Sequence, residues 1–132
     1  MMVTPLYAGL LVLWFLVLSI RVIRRRGSGG IALGDGGDPG MLRVIRGHAN
    51  FAEYVPLALL LMAILELSRF SIYVLHALGL TLLVARLLHG YALSFTQQFK
   101  FGRIAGAGLT FLVLFLAALL CVYQAILAYR LW

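Results

Sequence analysis

Four long apolar runs, parted by short polar breaks, organise this chain of 132 residues. The first, at about 5–24, opens with Pro5, which suits the first turn of a helix. It closes on the run Arg24-Arg25-Arg26-Gly27. The others lie at about 41–67, 70–95 and 103–130. Each supplies the roughly 20 apolar residues that a helix needs to cross a bilayer. The stretch at about 25–40 is rich in glycine, carries Asp35 and Asp38, and reads as an exposed loop. Asp38-Pro39 has the form of an N-cap followed by a first helical position. Thr96 to Gly102, with Lys100, reads as a second, shorter polar loop. The pattern predicts an all-α integral membrane protein, a single domain built as a four-transmembrane-helix bundle.

Composition agrees. With 64% hydrophobic and 11% charged residues, the chain has too little polar surface to cover a soluble core. Its medium is therefore the lipid bilayer. A net charge of +7 would suggest nucleic acid in a soluble protein. Here the basic residues flank apolar runs, so they read as topology signals and lipid-headgroup contacts, and no nucleic-acid partner is expected. The first run is uncharged before its arginines, the reverse of a cleavable signal peptide, and reads as a retained helix. Four helices place both termini on one side. Arg21, Arg24, Arg25, Arg26, Lys100 and Arg103 gather on the other, against Arg69 and Arg130. The positive-inside rule then puts the long glycine loop in the cytoplasm and the termini on the periplasmic side of a bacterial inner membrane. Tyr129, Arg130 and Trp132 form an interfacial end. Cys121, the single cysteine, reads as a small apolar residue.

Charged groups inside a span cost about 2.5–3.5 kcal/mol each at mid-bilayer, so they should face protein or a wet cavity. Arg46, Asn50 and Glu53 are spaced i, i+4, i+7 and fall within about 60° of one another on a helix. Arg43 lies one turn earlier on the same side, Tyr54 at the edge of the stripe, and His48 points away. On the third run Arg86 and His89 are adjacent at i, i+3. Depth along antiparallel helices lets Glu53 and Arg86 meet, which would offset much of the burial cost of each. A structural ion pair is the plain reading. A polar pocket explains more of the cluster, because arginines capture carboxylates and a glutamate suits an amine. Such a pocket matches a small zwitterionic or anionic ligand with several carboxylates. His76 reads as an interfacial side chain, and Gln124 as a helix-contact residue. Gly102, Gly106 and Gly108 would allow close helix packing. No metal site is expected, since His48 and His89 share no face with further ligands.

The segment from Arg43 through Arg46, His48, Asn50, Glu53 and Tyr54 to Pro56 resembles the helix-two signature of the MAPEG family, the membrane-associated proteins in eicosanoid and glutathione metabolism. Ala85-Arg86-Leu87-Leu88-His89 is similar to the family's helix-three motif, and the Gly34-Asp35-Gly36-Gly37 loop looks like that of bacterial members. The resemblance covers essentially the whole chain. It implies a homotrimer with three sites at subunit interfaces, with glutathione as the bound thiol. Arg43, Arg46, Asn50, Glu53, Tyr54, Arg86 and His89 would hold it. It implies transferase or peroxidase activity toward a lipophilic small-molecule substrate. Arg103 would be the catalytic residue favouring the thiolate, with Lys100 second. Two family tyrosines are replaced, by Leu93 and Ala107. Those departures support an alternative in which the fold and its ion cluster are kept for assembly alone. A four-helix multidrug exporter would need a glutamate in the first helix, where this chain has no acid.

Overall fold

The computed structural model describes residues 2–129. It contains four helices: α1 (Val3–Gly29), α2 (Pro39–Leu67), α3 (Ile72–Ser94) and α4 (Lys100–Tyr129). All four are long and apolar enough to cross a membrane. The expected boundaries shift by a few residues, most at the end of α1 and the start of α4. α1 continues through Arg25 and Arg26 to Gly29, so the connecting loop is shorter than the expected 25–40. Arginine is a good helix former, and the basic run contains nothing that breaks a helix. The stop comes at Gly30, whose φ of 63° is left-handed, and the Ile31 N–H closes back onto the Arg26 carbonyl. α4 starts at Lys100 rather than Arg103. Thr96 Oγ1 accepts from the Phe99 N–H and turns the chain into that helix. Arg130 and Trp132, assigned to the interfacial end, lie outside the described residues.

α2 begins as its sequence implies. The Asp38 carboxylate accepts from the Gly40 N–H at 2.8 Å, and Pro39 occupies the first turn. Arg25 clamps Asp38 through its Nη2 at 2.9 Å, tying the end of α1 to the start of α2. Its guanidinium lies where a Cβ on residue 40 would be, so Gly40 is needed for this contact. That arginine, with the Gly40 N–H, holds the Asp38 carboxyl below its ordinary pKa.

α1 packs on α2 and α3, α2 on α3 and α4, and α3 on α4. α1 and α4 do not meet, so they stand at opposite corners of the bundle. The core runs along its middle through Leu11, Leu18, Phe51, Val55, Met62, Leu75, Leu82 and Val113. The outside is apolar as well, with Leu13, Ile23, Leu57, Ile104 and Phe115 all exposed. In water such a surface would aggregate; in lipid it is the expected finish.

At the end away from the loops, the Glu66 carboxylate from α2 accepts from the backbone N–H of Met2, of Val3 at 2.8 Å and of Thr4 at 2.8 Å. Helix N-termini leave four N–H groups without intrahelical partners. Pro5 has no N–H to leave. Glu66 therefore serves nearly all of this helix end, beside the positive pole of the helix dipole.

Candidate functional site

The polar stripe of α2 runs along its loop-proximal half. Met41, Val44, Gly47, Phe51 and Val55 turn into the bundle at helical spacing. This rotation leaves Arg46 and Glu53 on the flank. Arg46 Nη1 and Glu53 Oε1 are 3.6 Å apart, with side chains 54% and 49% exposed. Arg43 reaches across to the end of α3, where its Nη2 donates to the carbonyls of Ala92 at 3.0 Å and Thr96 at 2.5 Å. It thus serves carbonyls that the helix end leaves open and complements the negative pole there.

Arg86 is the most deeply placed charge, 1% exposed. It was expected to meet Glu53. Instead its Nη1 donates to Asn50 Oδ1 at 2.8 Å, and its Nη2 to the Gly106 carbonyl at 3.4 Å. No carboxylate pairs with it among the described residues. Glu53 sits on the bundle's flank beside Arg46, while Arg86 points inward between α2 and α4. Two neutral oxygens therefore receive the guanidinium.

This arrangement depends on Gly106. A Cβ there would lie 2.6 Å from the Ala85 carbonyl oxygen and 2.7 Å from His89 Cβ. The glycine lets α4 approach α3 closely enough for its carbonyl to accept from Arg86. Thr110 Oγ1 donates to the same carbonyl at 2.7 Å. Of the three glycines expected to allow packing, Gly106 meets the neighbouring helix. Gly102 meets the Phe99 ring, and Gly108 meets nothing within 4 Å.

Arg43, Arg46, Asn50, His89 and Arg103 line one recess of about 340 Å³, with Leu42 and Leu93 completing its wall. Arg86 lies beneath it, bonded to Asn50, and Glu53 flanks it through Arg46. Tyr54 is not part of this wall; it stands edge-on to Phe111 with ring centroids 5.4 Å apart. Lys100 does not line it either. His48 faces α1, stacked on Phe15 with Nε2 3.1 Å from Ser19 Oγ, away from the recess as its position on the helix implies. Leu93, where a tyrosine was expected from the resemblance, is on the wall. Tyr91 stacks on Phe95 and does not replace it. Among the described residues no three His, Cys, Asp or Glu side chains gather as a metal site.

Sequence reasoning missed two residues that support this region. Trp14 Nε1 donates to the Arg86 carbonyl at 3.1 Å, and Gly90 leaves room for the indole. Both sit inside apolar runs where nothing in the sequence marks them. With three arginines on its wall and a fourth beneath, against one carboxylate at its edge, the recess is positive and suits an anion.

The MAPEG family's sequence model matches residues 4–123. The chain is similar to the inner membrane protein YecN of Escherichia coli strain K12, 39% identical over 90 residues, which are 68% of this chain and 69% of the relative. The protein of the same name from E. coli O6:H1 matches to the same extent.

Proposed function

The chain belongs to the MAPEG family, and on that premise we propose that its recess binds glutathione for chemistry on lipophilic electrophiles or hydroperoxides. The observation that carries this reading is the convergence of Arg46, Asn50, His89 and Arg103 on one recess, with the Glu53 carboxylate at its edge. Glutathione has two carboxylates and one amine. Arg46 offers a fork-shaped donor for one carboxylate, Arg43 the N–H groups not engaged with Ala92 and Thr96 for the other, Glu53 an acceptor for the ammonium, and Asn50 an amide held by Arg86.

When bound, glutathione supplies the thiolate nucleophile. The role of the chain is to position it and to favour its anionic form. Arg103, at the recess and in the first turn of α4, provides positive charge that lowers a nearby thiol pKa. The buried Arg86 adds to that field from below. Leu42 and Leu93 on the wall offer a lipophilic second substrate an apolar approach from the bilayer.

Arg46 and Glu53 are half exposed on the flank of a membrane-spanning helix. Facing lipid, each would carry a cost of a few kcal/mol. A second copy covering this flank removes it, which supports self-assembly with sites between subunits; the number three, a homotrimer, comes from the family alone. The concentration of basic residues at the loop end supports placing that end in the cytoplasm and the termini on the periplasmic side, in the inner membrane. Leu93 on the wall favours a second reading, in which the recess keeps its ligand contacts without turnover.

Calorimetry of glutathione on the purified protein, with Arg46→Ala as control, tests the proposal. Saturable binding that Arg46→Ala abolishes is the expected result. Absence of binding up to millimolar glutathione would overturn it. Saturable binding with no turnover of electrophile or hydroperoxide selects the second reading. If turnover occurs, Arg103→Leu lowers it while leaving binding largely intact.

A further inference from the structure

On the other side of the bundle's loop end lies a second basic region, centred on Arg21 and Arg24, two residues that the glutathione reading does not use. Arg21 on α1 is held against the end of α3. Its Nε donates to the Ser94 carbonyl at 3.1 Å, and its Cζ lies 4.8 Å from the centre of the Phe95 ring. These contacts leave its terminal nitrogens without a protein partner among the described residues. Arg24, one turn on and on the same face, is exposed. Neither arginine has a carboxylate partner among the described residues; the two ion pairs there use Arg25 and Arg46.

Two hollows meet at Arg21. One, of about 270 Å³, is an apolar groove lined by Val17, Ile20, Phe95 and the stems of Arg21 and Arg24. The other, of about 130 Å³, is the more polar of the two, with Arg21, Arg25, Arg43, Thr96 and Gln97 beside Val44, Leu93 and Phe95 on its walls. The order along α1 matters. Val17 and Ile20 lie deeper in the span, and Arg21 and Arg24 nearer the loops. An apolar slot with cations at its outer end has the polarity of a phospholipid in the adjoining leaflet. A role for Arg21 limited to capping α3 accounts for its Nε contact but not for the groove or for Arg24.

We propose that the α1–α3 groove is a binding site for an anionic phospholipid, its phosphate on Arg21 and Arg24 and one acyl chain along Val17, Ile20 and Phe95. The charge is complementary, and Val17 and Ile20 lie on the bilayer side of the two arginines, where an acyl chain must run. A zwitterionic lipid brings its own cation to the same two arginines and binds less well. The site lies across Arg43 and Leu93 from the glutathione recess, both residues being walls of the recess and of the polar hollow. It requires neither glutathione binding nor a particular orientation in the membrane.

The protein contains its own reporter. Trp14 stacks on Phe95 with ring centroids 6.1 Å apart, and Trp132 is the only other tryptophan. In a Trp132→Phe background, fluorescence quenching by lipids brominated on the acyl chain reads occupancy next to Phe95. The full chain is reconstituted in phosphatidylcholine vesicles containing dibrominated phosphatidylglycerol or dibrominated phosphatidylcholine. The anionic lipid should be preferred by about tenfold or more, and Arg24→Gln should reduce that preference about fivefold. Arg26, which donates to the Gly34 carbonyl and lines neither hollow, is the charge control; Arg26→Gln should leave the preference intact. Arg24 makes no hydrogen bond or ion pair among the described residues, so its variant should fold even if Arg21→Gln does not. Equal quenching by the two lipids would overturn the proposal, as would a preference that survives Arg24→Gln. An equal loss in Arg26→Gln would reduce it to general attraction between charges. Relief of quenching by inorganic phosphate would identify a free-anion site instead of a lipid site.

Discussion

Replacing Gly106 by alanine tests whether the close approach of α4 to α3 builds the site. The new Cβ would stand 2.6 Å from the Ala85 carbonyl oxygen, 2.7 Å from His89 Cβ and 2.8 Å from the His89 nitrogen. These atoms belong to the α3 backbone or are fixed to it, so no side chain can rotate to make room. Ordinary carbon contacts fall near 3.5 Å, so the helices must part by roughly 0.7–0.8 Å. Overpacking of this kind costs about 1–3 kcal/mol. The better helix propensity of alanine returns about 1 kcal/mol. The Arg86 to Gly106 bond, already 3.4 Å, lengthens further. A net loss of about 1–2 kcal/mol is expected. Gly108→Ala is the matched control, since its Cβ would meet nothing within 4 Å and it gains only propensity. Unfolding of the two variants by dodecyl sulfate in mixed micelles, followed by far-ultraviolet circular dichroism, should separate them by about 2–3 kcal/mol. Because α4 carries Arg103 and α3 carries His89, Gly106→Ala should also weaken glutathione binding. Two variants of equal stability would refute the argument that backbone contact at Gly106 sets the spacing.

The remaining predictions concern the polar contacts. Glu66→Gln removes the charge serving three N–H groups of α1, and Val3 and Thr4 amides should exchange with deuterium about tenfold faster or more; unchanged protection would show that the carboxylate is not the cap. Asn50→Leu leaves the buried Arg86 guanidinium with only the Gly106 carbonyl and should cost about 3–5 kcal/mol in the same dodecyl sulfate titration, whereas Asn50→Asp should be tolerated. The Asp38 carboxyl has a lowered pKa in the fold, so its contribution is complete above the unfolded value near about 4 and is lost as pH falls through the lower folded value. Proteolysis of the 30–38 loop should therefore accelerate only in acid, and Asp38→Asn should remove that dependence.

Much was legible in the sequence because membrane helices are specified locally. Apolar runs long enough to span identify the four helices, and the Asp38-Pro39 cap marks the start of α2 two residues ahead of the apolar run expected from about 41. Helical periodicity alone puts Arg46, Asn50 and Glu53 on one stripe and turns His48 away from it. The extra turn of α1 was not legible, since arginines at a membrane boundary are compatible with helix or loop until contacts such as Arg25–Asp38 hold them. Contacts between helices were decided by the tertiary structure. Depth alone allowed Arg86 to reach Glu53, yet it bonds Asn50 and Gly106. Periodicity orients a side chain about its own helix; it says nothing of the rotation and separation of the neighbour. Those are set where glycine admits close packing: Gly106 under His89, Gly90 under Trp14 and Gly79 under Tyr7. The same is true of Glu66 and the first residues of α1, more than sixty positions apart in the chain. Which residues carry the charge was thus determined by the sequence, and which partner each one meets was decided only when four apolar helices packed together.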